Sequence, residues 1–306
     1  MKVNMKRIIL IIAAMALCLG AGAFGRRNHA TVNYIAEQHL SSKARAAVNE
    51  ILDGSTLTEY GSYPDDYRLE ILIPLDSSLV LKDSLGRPVL KGTDGKPFCY
   101  GTDFFTDDEG KVVTTLAHGW LADPDSKYVE TPYGECIWYA RMYMNKLKGW
   151  KNMDKQERFV ALVCLAHLIG DMHCPTHIHY TDGWDGNDGK YTVTYAGKPA
   201  RYHSVWDTAL LVDRYVGGPV DFAYYADPLI SGCLSKSEAK KRMKAIQEGS
   251  LEFWAAQVAR DVRVVYNVKD GDVITNEMAT AFLPLGRDMV MQAGYRLAKV
   301  LNDIFK

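Results

Sequence analysis

The chain has 306 residues, with 36 basic residues against 37 acidic ones, and 47% of its residues are apolar. These are the values of an ordinary folded protein. They exclude a disordered tail, a collagen-like fibre and a protein that holds nucleic acid by lysine and arginine alone. Six cysteines are too few for a small disulfide-stapled scaffold, and the length is enough for one large domain or two medium ones.

The first 23 residues have the pattern of a cleaved export signal. Basic residues at positions 2, 6 and 7 precede an apolar run of 12 residues, and a small-x-small cleavage site follows at positions 21–23. An uncleaved membrane anchor is the alternative, but a span needs about 20 apolar residues. A lipoprotein is disfavoured because Leu17 stands directly before Cys18, where a small residue is expected. We therefore expect residues 1–23 to be a signal peptide.

Cleavage after Ala23 predicts a mature chain of residues 24–306 that is periplasmic or secreted and carries no membrane anchor. Three basic residues and no acidic residue are lost, which leaves 33 basic and 37 acidic residues and a formal charge of −4. Disulfides are possible in such a compartment. Five cysteines remain, so at least one is unpaired within the chain, and the pairing is not readable from sequence.

The mature chain is predicted to be one mainly α-helical domain with a small β-containing insertion. Apolar spacing favours helices, whereas turn signals between short apolar runs favour hairpins. In chain order the predicted elements are a helix at 30–52, an insertion with one or two hairpins at 69–115, helices at 133–147 and 153–170, a loop with a hairpin at 180–201, and helices at 204–215, 236–247, 251–265 and 284–305, the last with Pro284 in its first turn.

The histidines carry the strongest functional signal. His167 and Asp171 are four residues apart on a predicted helix, and His203 and Asp207 repeat this spacing, so each pair shares a helix face. His177 follows the first pair closely. Imidazole and carboxylate groups together suit zinc. For a single pair, a hydrogen bond on the helix surface is the simpler interpretation; two pairs with His177 favour a metal centre.

Several motifs in order make the chain resemble the zinc-dependent type I nuclease family, which shares its fold with bacterial zinc phospholipase C. They extend over most of the mature chain. The matching stretches are Phe24-Gly25 with Asn28-His29-Ala30, Asp65-Asp66-Tyr67-Arg68, Ala166 to Met172 running on to Pro175-Thr176-His177, His203-Ser204-Val205-Trp206-Asp207, and Gly294 to Ala298.

The resemblance implies three zinc ions. In two of the three sites Asp171 is a shared ligand, and one site uses the free amino group and carbonyl of Phe24, which requires cleavage directly before that residue. The implied sets are Asp65, His118, His167 and Asp171 for the first ion, Phe24, His29 and Asp171 for the second, and His177, His203 and Asp207 for the third. Their spacing gives no such signal for His39, His173 and His179, which we interpret as ordinary polar residues.

The family's chemistry, carried to this chain, is attack of a zinc-bridging hydroxide on a phosphodiester of single-stranded DNA or RNA, with 3′-nucleotides as further substrates. Asp65 would orient the hydroxide and Arg68 would bind the phosphate oxygens, although a surface ion pair with Asp66 is the other interpretation of Arg68. Gly119 stands where the family places its base-stacking aromatic residue. Trp120, Tyr180 or Trp184 are the candidates to replace it.

Two other functions stay open at this point. A zinc phospholipase C would use the same metal centre on a lipid, but those enzymes carry Glu where Asp207 stands. An exported zinc-binding protein without activity is the second alternative, and the complete ligand set argues against it. No stable protein partner is implied.

Overall fold

The computed structural model describes residues 24–66, 135–180 and 191–306, together with short strands between residues 73 and 122. The predicted signal peptide and the candidate site residues Arg68, His118 and Trp184 lie outside the described residues. For Trp120 and Tyr180 only the strand positions are described.

The described chain is mostly helical, as predicted. Its helices are α1 Arg26–Gln38, α2 Ser42–Ile51, α3 Tyr63–Asp66, α4 Glu135–Leu147, α5 Lys155–Asp171, α6 Tyr202–Ser204, α7 Leu210–Arg214, α8 Pro219–Ala226, α9 Pro228–Ser231, α10 Lys236–Gln247, α11 Leu251–Asp261 and α12 Asn276–Ile304, with a π-helical turn at Val205–Ala209 and 3-10 turns at Leu57–Tyr60, Trp150–Asn152, Pro175–His177 and Arg263–Asn267.

Short strands supply the β part of the fold. They are β1 Ile73–Pro74, β2 Val80–Lys82, β3 Pro88–Lys91, β4 Pro97–Phe98, β5 Phe104–Thr106, β6 Val112–Thr114, β7 Trp120–Ala122, β8 Ile178–Tyr180, β9 Thr192–Tyr195, β10 Lys198–Arg201 and β11 Val273–Ile274. They form small sheets in the orders β1-β6-β5, β2-β3-β4, β10-β9-β11 and β7-β8. The β9–β10 pair is the hairpin predicted within 180–201.

Helix α5 is the centre of the core. Every residue from Ala161 to Asp171 is buried, so this part of the helix is enclosed on all sides, whereas its first turn is exposed. Asp154 caps its start by accepting a hydrogen bond from the Glu157 amide at 2.9 Å. Because the helix ends in the interior, His167 and Asp171 are held away from solvent.

Helices α1 and α12 pack closely on one another. A methyl group on Gly294 would meet the Ile35 side chain at 2.5 Å, so only glycine allows this approach. The Ile35 side chain is itself fully buried. This close contact explains why glycine stands at the start of the C-terminal Gly-Tyr-Arg motif. The contact holds α1, the helix that carries His29, against α12.

Two helix predictions need correction. The helix predicted over 30–52 is two helices: the first ends at Gln38, and Ser41 caps the start of α2 by accepting from the Ala44 amide at 3.2 Å. The last helix begins at Asn276 rather than at Pro284, since Thr275 caps it and accepts from the Met278 amide at 3.2 Å. Pro284 therefore lies inside α12.

The insertion is also richer in strands than predicted. Six strands lie between residues 73 and 114 in two small sheets, where the sequence indicated one or two hairpins. Helices α8 and α9 were not predicted; each begins with a proline, at positions 219 and 228. Short helices of this kind give too little apolar periodicity to be recognised.

Two further observations bear on the predictions. Among the described residues, no helix combines the length and the apolar character needed to cross a membrane. Four cysteines fall in the described part, and all are free thiols. Three of them, Cys136, Cys164 and Cys174, are buried.

Candidate metal centre

The first group of candidate ligands surrounds the carboxylate of Asp171; we call it the Asp171 cluster, formed by His29, Asp65, His167 and Asp171. The Nε2 atoms of His29 and His167 lie 3.2 Å from the two different oxygens of Asp171. His167 Nε2 is also 3.3 Å from Asp65 Oδ1. The rings of His29 and His167 are stacked, with centroids 3.8 Å apart. One carboxylate thus lies between two imidazoles.

Two glycines make room for this arrangement. A methyl group on Gly170 would meet His29 Nδ1 at 2.6 Å, and one on Gly61 would meet the Ala30 amide nitrogen at 2.6 Å. The carbonyl of Gly61 also lies 3.0 Å from His167 Nδ1. A proton on Nδ1 donated to that carbonyl leaves Nε2 with a free lone pair, which is the usual support of a metal-binding histidine.

The second group, the Asp207 cluster, consists of Cys174, His177, His203 and Asp207. His177 Nε2 lies 3.3 Å from Asp207 Oδ1, and His203 Nε2 lies 3.2 Å from Asp207 Oδ2. The rings of His177 and His203 are stacked with centroids 5.0 Å apart. His177 also joins the two clusters, since its Nδ1 is 3.6 Å from Asp171 Oδ1.

The local backbone explains why His203 and Asp207 meet. Their spacing predicted one α-helix, but Asp207 lies in the π-helical turn Val205–Ala209, which follows the short helix α6. π-Helical turns are rare overall, but those that occur are often found at functional sites. Phe24 and Asn28 both contact Asp207 in this turn.

Phe24 lies where the two clusters meet. Its ring contacts His29 edge-on, and its backbone nitrogen donates to Asp207 Oδ1. Asn28 Nδ2 holds the same segment by donating to the Asp207 carbonyl at 2.8 Å. The resemblance groups the Phe24 nitrogen with Asp171, whereas its contact is with Asp207.

Burial and neighbouring charges shift the pKa values in opposite directions. Burial lowers the pKa of His167, but the carboxylates of Asp171 and Asp65 outweigh it, so its pKa is raised well above the usual range. For His177 burial prevails and the pKa is lowered. The pKa of Asp207 is lowered because His203 and His177 overcome the effect of its burial. Burial and Asp207 raise the pKa of the Cys174 thiol.

The residues of both clusters fit a metal ion. Ligand atoms of His29, Asp65 and His167 lie within 4.8 Å of one another, and so do those of Cys174, His177 and Asp207. His29 is fully buried, and neither of its ring nitrogens makes a hydrogen bond within the described part of the chain. A buried imidazole in that condition, beside a carboxylate, suits a metal ligand better than a hydrogen-bonded core residue.

The described predicted ligands are thus all brought together: Phe24, His29, Asp65, His167, Asp171, His177, His203 and Asp207. Of the aromatic candidates, Trp120 pairs with Ile178, the residue after His177, and Tyr180 pairs with Ala122 in the same parallel pair of strands. Sequence reasoning did not include Cys174, whose Sγ lies 3.4 Å from Asp207 Oδ1. Its position three residues before His177 was the available signal.

Two histidines that we interpreted as ordinary polar residues have structural partners. His39 Nε2 lies 2.6 Å from Asp227 Oδ2. His173 Nδ1 lies 2.7 Å from the Ile169 carbonyl, and its Nε2 is 2.8 Å from Arg296 Nη1. The buried Arg296 therefore supports the turn that follows α5.

A mainly helical fold around buried clusters of histidine and aspartate defines a candidate metalloenzyme. The S1/P1 Nuclease family profile matches residues 112–306, and the chain belongs to the S1/P1 nuclease family. It is similar to Nuclease S1 of Aspergillus oryzae, with 25% identity over 98% of each chain. Nuclease P1 of Penicillium citrinum is 26% identical over 92% of this chain and 97% of the relative. Endonuclease 5 of Arabidopsis thaliana is 22% identical over 97% and 96%.

Proposed function

We propose that the protein is an exported zinc-dependent nuclease that cleaves phosphodiester bonds of single-stranded DNA or RNA and accepts 3′-nucleotides. The observation that carries the proposal is the pair of buried clusters, which His177 joins by facing Asp171 with one nitrogen and Asp207 with the other. Family membership supports the choice of substrate. Three zinc ions are proposed, with the ligand sets named above.

The proposed division of labour follows from where each residue lies. Bound zinc would supply Lewis acidity toward phosphate oxygens and lower the pKa of a bound water from ~15.7 toward neutrality. Asp171 would set the distance between ligands of two sites, since each of its oxygens faces a different imidazole. The Gly61 carbonyl would keep the Nδ1 proton on His167.

Substrate positioning is proposed for residues around this centre. Asp65 Oδ1 faces His167, so Asp65 lies at the edge of the Asp171 cluster, where it can orient an attacking nucleophile. A planar guanidinium such as that of Arg68 suits the oxygens of a phosphate. Stacking of an unpaired base on Trp120, Tyr180 or Trp184 would give the preference for single strands.

The proposal is tested with mature protein that begins at Phe24. Single-stranded DNA, RNA, a 3′-nucleotide and phosphatidylcholine vesicles are incubated with the protein, with and without a chelator. We expect cleavage of the nucleic acids that the chelator abolishes and that added Zn²⁺ restores. Cleavage of the lipid alone would favour a phospholipase, and no chelator-sensitive cleavage of any substrate would reject an enzymatic function.

A second form of the protein tests the beginning of the mature chain. A methionine placed before Phe24 moves the free amino group away from the clusters while leaving every ligand side chain in place. We expect this form to lose most of the activity and part of the bound zinc, both measured beside the chain that begins at Phe24. Equal zinc content and equal activity would contradict a role for the N-terminal amine.

A further inference from the structure

Arg27 lies in the first turn of α1 and ties this helix to a distant part of the chain. Its Nη2 donates to the Leu211 carbonyl at 2.6 Å, and its Nη1 donates to the carbonyls of Tyr215 and, at 3.2 Å, of Gly217. The guanidinium also lies over the ring of Phe222, 5.2 Å from the ring centroid. One side chain thus joins the beginning of α1 to the end of α7 and to α8.

The position of Arg27 is unfavourable for its own helix. The first turn of α1 contains no acidic residue, and a positive charge near the beginning of a helix opposes the helix dipole. Backbone carbonyls at the end of a helix carry partial negative charge instead, and these are the groups that Arg27 meets. A planar guanidinium can hold several such acceptors at once. The benefit of this arginine therefore lies in joining the two segments.

Both segments that Arg27 joins carry candidate ligands. His29 follows Arg27 by two residues and Phe24 precedes it by three. On the other side of the contact, Leu211 lies four residues after Asp207. The contact therefore sets the distance between the backbone that supplies the first two candidate ligands and the π-helical turn that supplies the third.

The chain before Arg27 lies very close to that π-helical turn. Gly25 has a φ angle of 56°, and a methyl group on it would meet the Asp207 carbonyl oxygen at 2.7 Å. Asn28 donates to the same carbonyl at 2.8 Å. Because glycine loses more conformational freedom on ordering than any other residue, the position of Phe24 depends on the contacts that follow it in the chain.

We propose that Arg27 is a positioning residue of the metal centre, which holds the free amino group of mature Phe24 against Asp207. The inference rests on the proposed function, and deepens it by naming what places the N-terminal ligand. Arg27 acts through the backbone and contacts no substrate. Its removal should leave the ligand side chains of both clusters present but should let the first residues of the mature chain move.

The reactivity of the amino group tests this positioning without any metal. Metal-free protein that begins at Phe24 is treated with acetic anhydride near neutral pH, where an α-amine is deprotonated to a larger extent than a lysine. Mass spectrometry follows acetylation of the N-terminal peptide. We expect Arg27→Met to react at least about 10-fold faster than the wild type, because a held segment reacts only when it opens locally.

Arg45→Met is the matched control for this experiment. Arg45 also donates to a backbone carbonyl of α1, that of Glu37, but at the other end of the helix. Its replacement removes a contact of the same kind far from the amino group, so the acetylation rate should equal that of the wild type. Arg27→Lys should react at an intermediate rate, because an ammonium group lacks the planar fork that reaches three carbonyls.

The zinc-loaded protein gives a second measurement. We expect Arg27→Met to hold one ion about 10- to 100-fold more weakly in chelator competition, the range for lost support of a metal ligand. For cleavage of single-stranded DNA, kcat should fall more than KM rises, since the residue supports the metal centre and does not bind the substrate. Arg45→Met should match the wild type in both measurements.

The outcomes separate this inference from the proposed function. Equal acetylation rates for metal-free wild type and Arg27→Met overturn the inference, even if the protein cleaves DNA. A lower unfolding temperature with unchanged acetylation also overturns it, because Arg27 would then only stabilise the fold. If Arg27→Met does not fold, Arg27→Lys takes its place, and equal rates there have the same meaning. Faster acetylation in a protein without nuclease activity would support the positioning role and reject the function.

Discussion

Two kinds of histidine–aspartate contact occur inside this protein, and they differ in geometry. At Asp227, the oxygens accept at short distances from His39 Nε2 at 2.6 Å, the Tyr295 hydroxyl at 2.6 Å and the Leu229 amide at 2.7 Å. At Asp171 and Asp207 the imidazole contacts range from 3.2 to 3.6 Å. The first arrangement is a satisfied hydrogen-bond network, and the second is a set of groups spaced for co-ligation.

This difference in contact length distinguishes structural histidines from candidate metal ligands. A structural carboxylate obtains its partners from different kinds of group, here an imidazole, a phenol and a backbone amide, each at ordinary hydrogen-bond length. The candidate ligands instead face one another in pairs of stacked rings around shared carboxylates. Buried polar groups normally find hydrogen-bond partners, so the longer spacing indicates that something else satisfies them.

The largest expected effect comes from removing the negative charge of Asp171. Asp171→Asn should reduce nuclease activity by at least about 10³-fold, because Lewis-acid stabilisation by metal ions contributes several kcal/mol. The bound zinc should also decrease, measured by metal analysis of the purified protein. Asp227→Asn is the matched control, and its zinc content should equal that of the wild type. An active Asp171→Asn protein with full zinc content would remove the basis of the proposed centre.

Removal of the Asp227 carboxylate should instead affect stability. Asp227→Ala leaves the groups that donate to this carboxylate without their acceptor, and we expect it to lower the free energy of unfolding by about 3 kcal/mol, as for other broken buried pairs. The measurement is chemical denaturation of the metal-free protein at neutral pH, so that zinc does not contribute. A loss of zinc without a loss of stability would show that Asp227 belongs to the metal centre.

The same variant has a defined pH dependence. Burial raises the pKa of Asp227, but the hydrogen bonds from His39 and Tyr295 outweigh it and the pKa is lowered in the folded protein. A lowered native pKa stabilises the fold at pH values above the unfolded pKa of about 3.9, and this contribution is lost as the pH falls through the native pKa. The stabilisation of the wild type relative to Asp227→Ala should therefore shrink as the pH falls below about 5.

A change that spares every ligand tests the packing around His29. In Gly170→Ala the new methyl group would meet His29 Nδ1 at 2.6 Å, so the ring must move away from Asp171. We expect activity to fall about 10- to 100-fold, the range typical of disturbed support for a metal ligand. Alanine also favours the helix by about 1 kcal/mol relative to glycine, so global instability is not expected to be the cause.

Gly149→Ala is the control for this variant, because the nearest atom to its new methyl group is 3.7 Å away. Both variants are compared for activity, zinc content and thermal unfolding. If Gly170→Ala kept full activity, the His29 ring would not need its present position. If both variants lost activity equally, the cause would lie outside the metal centre.

The candidate site was more predictable from sequence than the fold around it. Candidate ligand pairs such as His203 and Asp207 are close in sequence, so their spacing alone indicates contact, and it did so although the segment is a π-helical turn. The boundary at Ser41 was missed because apolar residues on both sides keep helical spacing across it. Pro284 was mistaken for a helix start, since nothing local reveals that α12 begins at Asn276.

Contacts between distant residues were beyond sequence reasoning. Asp227 and His39 are 188 positions apart, and no motif connects them, so His39 was treated as an ordinary polar residue. Cys174 was overlooked for a related reason: a single cysteine has meaning only once the fold brings Asp207 to it. Spacing predicts ligands that share a helix, whereas the partners supplied by other helices depend on the packing of the whole core.

The smallest expected effect is that of His39→Ala, which removes one histidine from the hydrogen-bond network around Asp227. The side chain is 11% exposed and supplies one of the three short contacts to Asp227. We expect a loss of about 1.5 kcal/mol in the free energy of unfolding, the lower end for a hydrogen bond to a charged group, with unchanged zinc content and activity. His203→Ala is the counterpart and should lose zinc with little change in the stability of the metal-free protein. If the two variants behaved alike, the contact distances would not distinguish a structural histidine from a ligand.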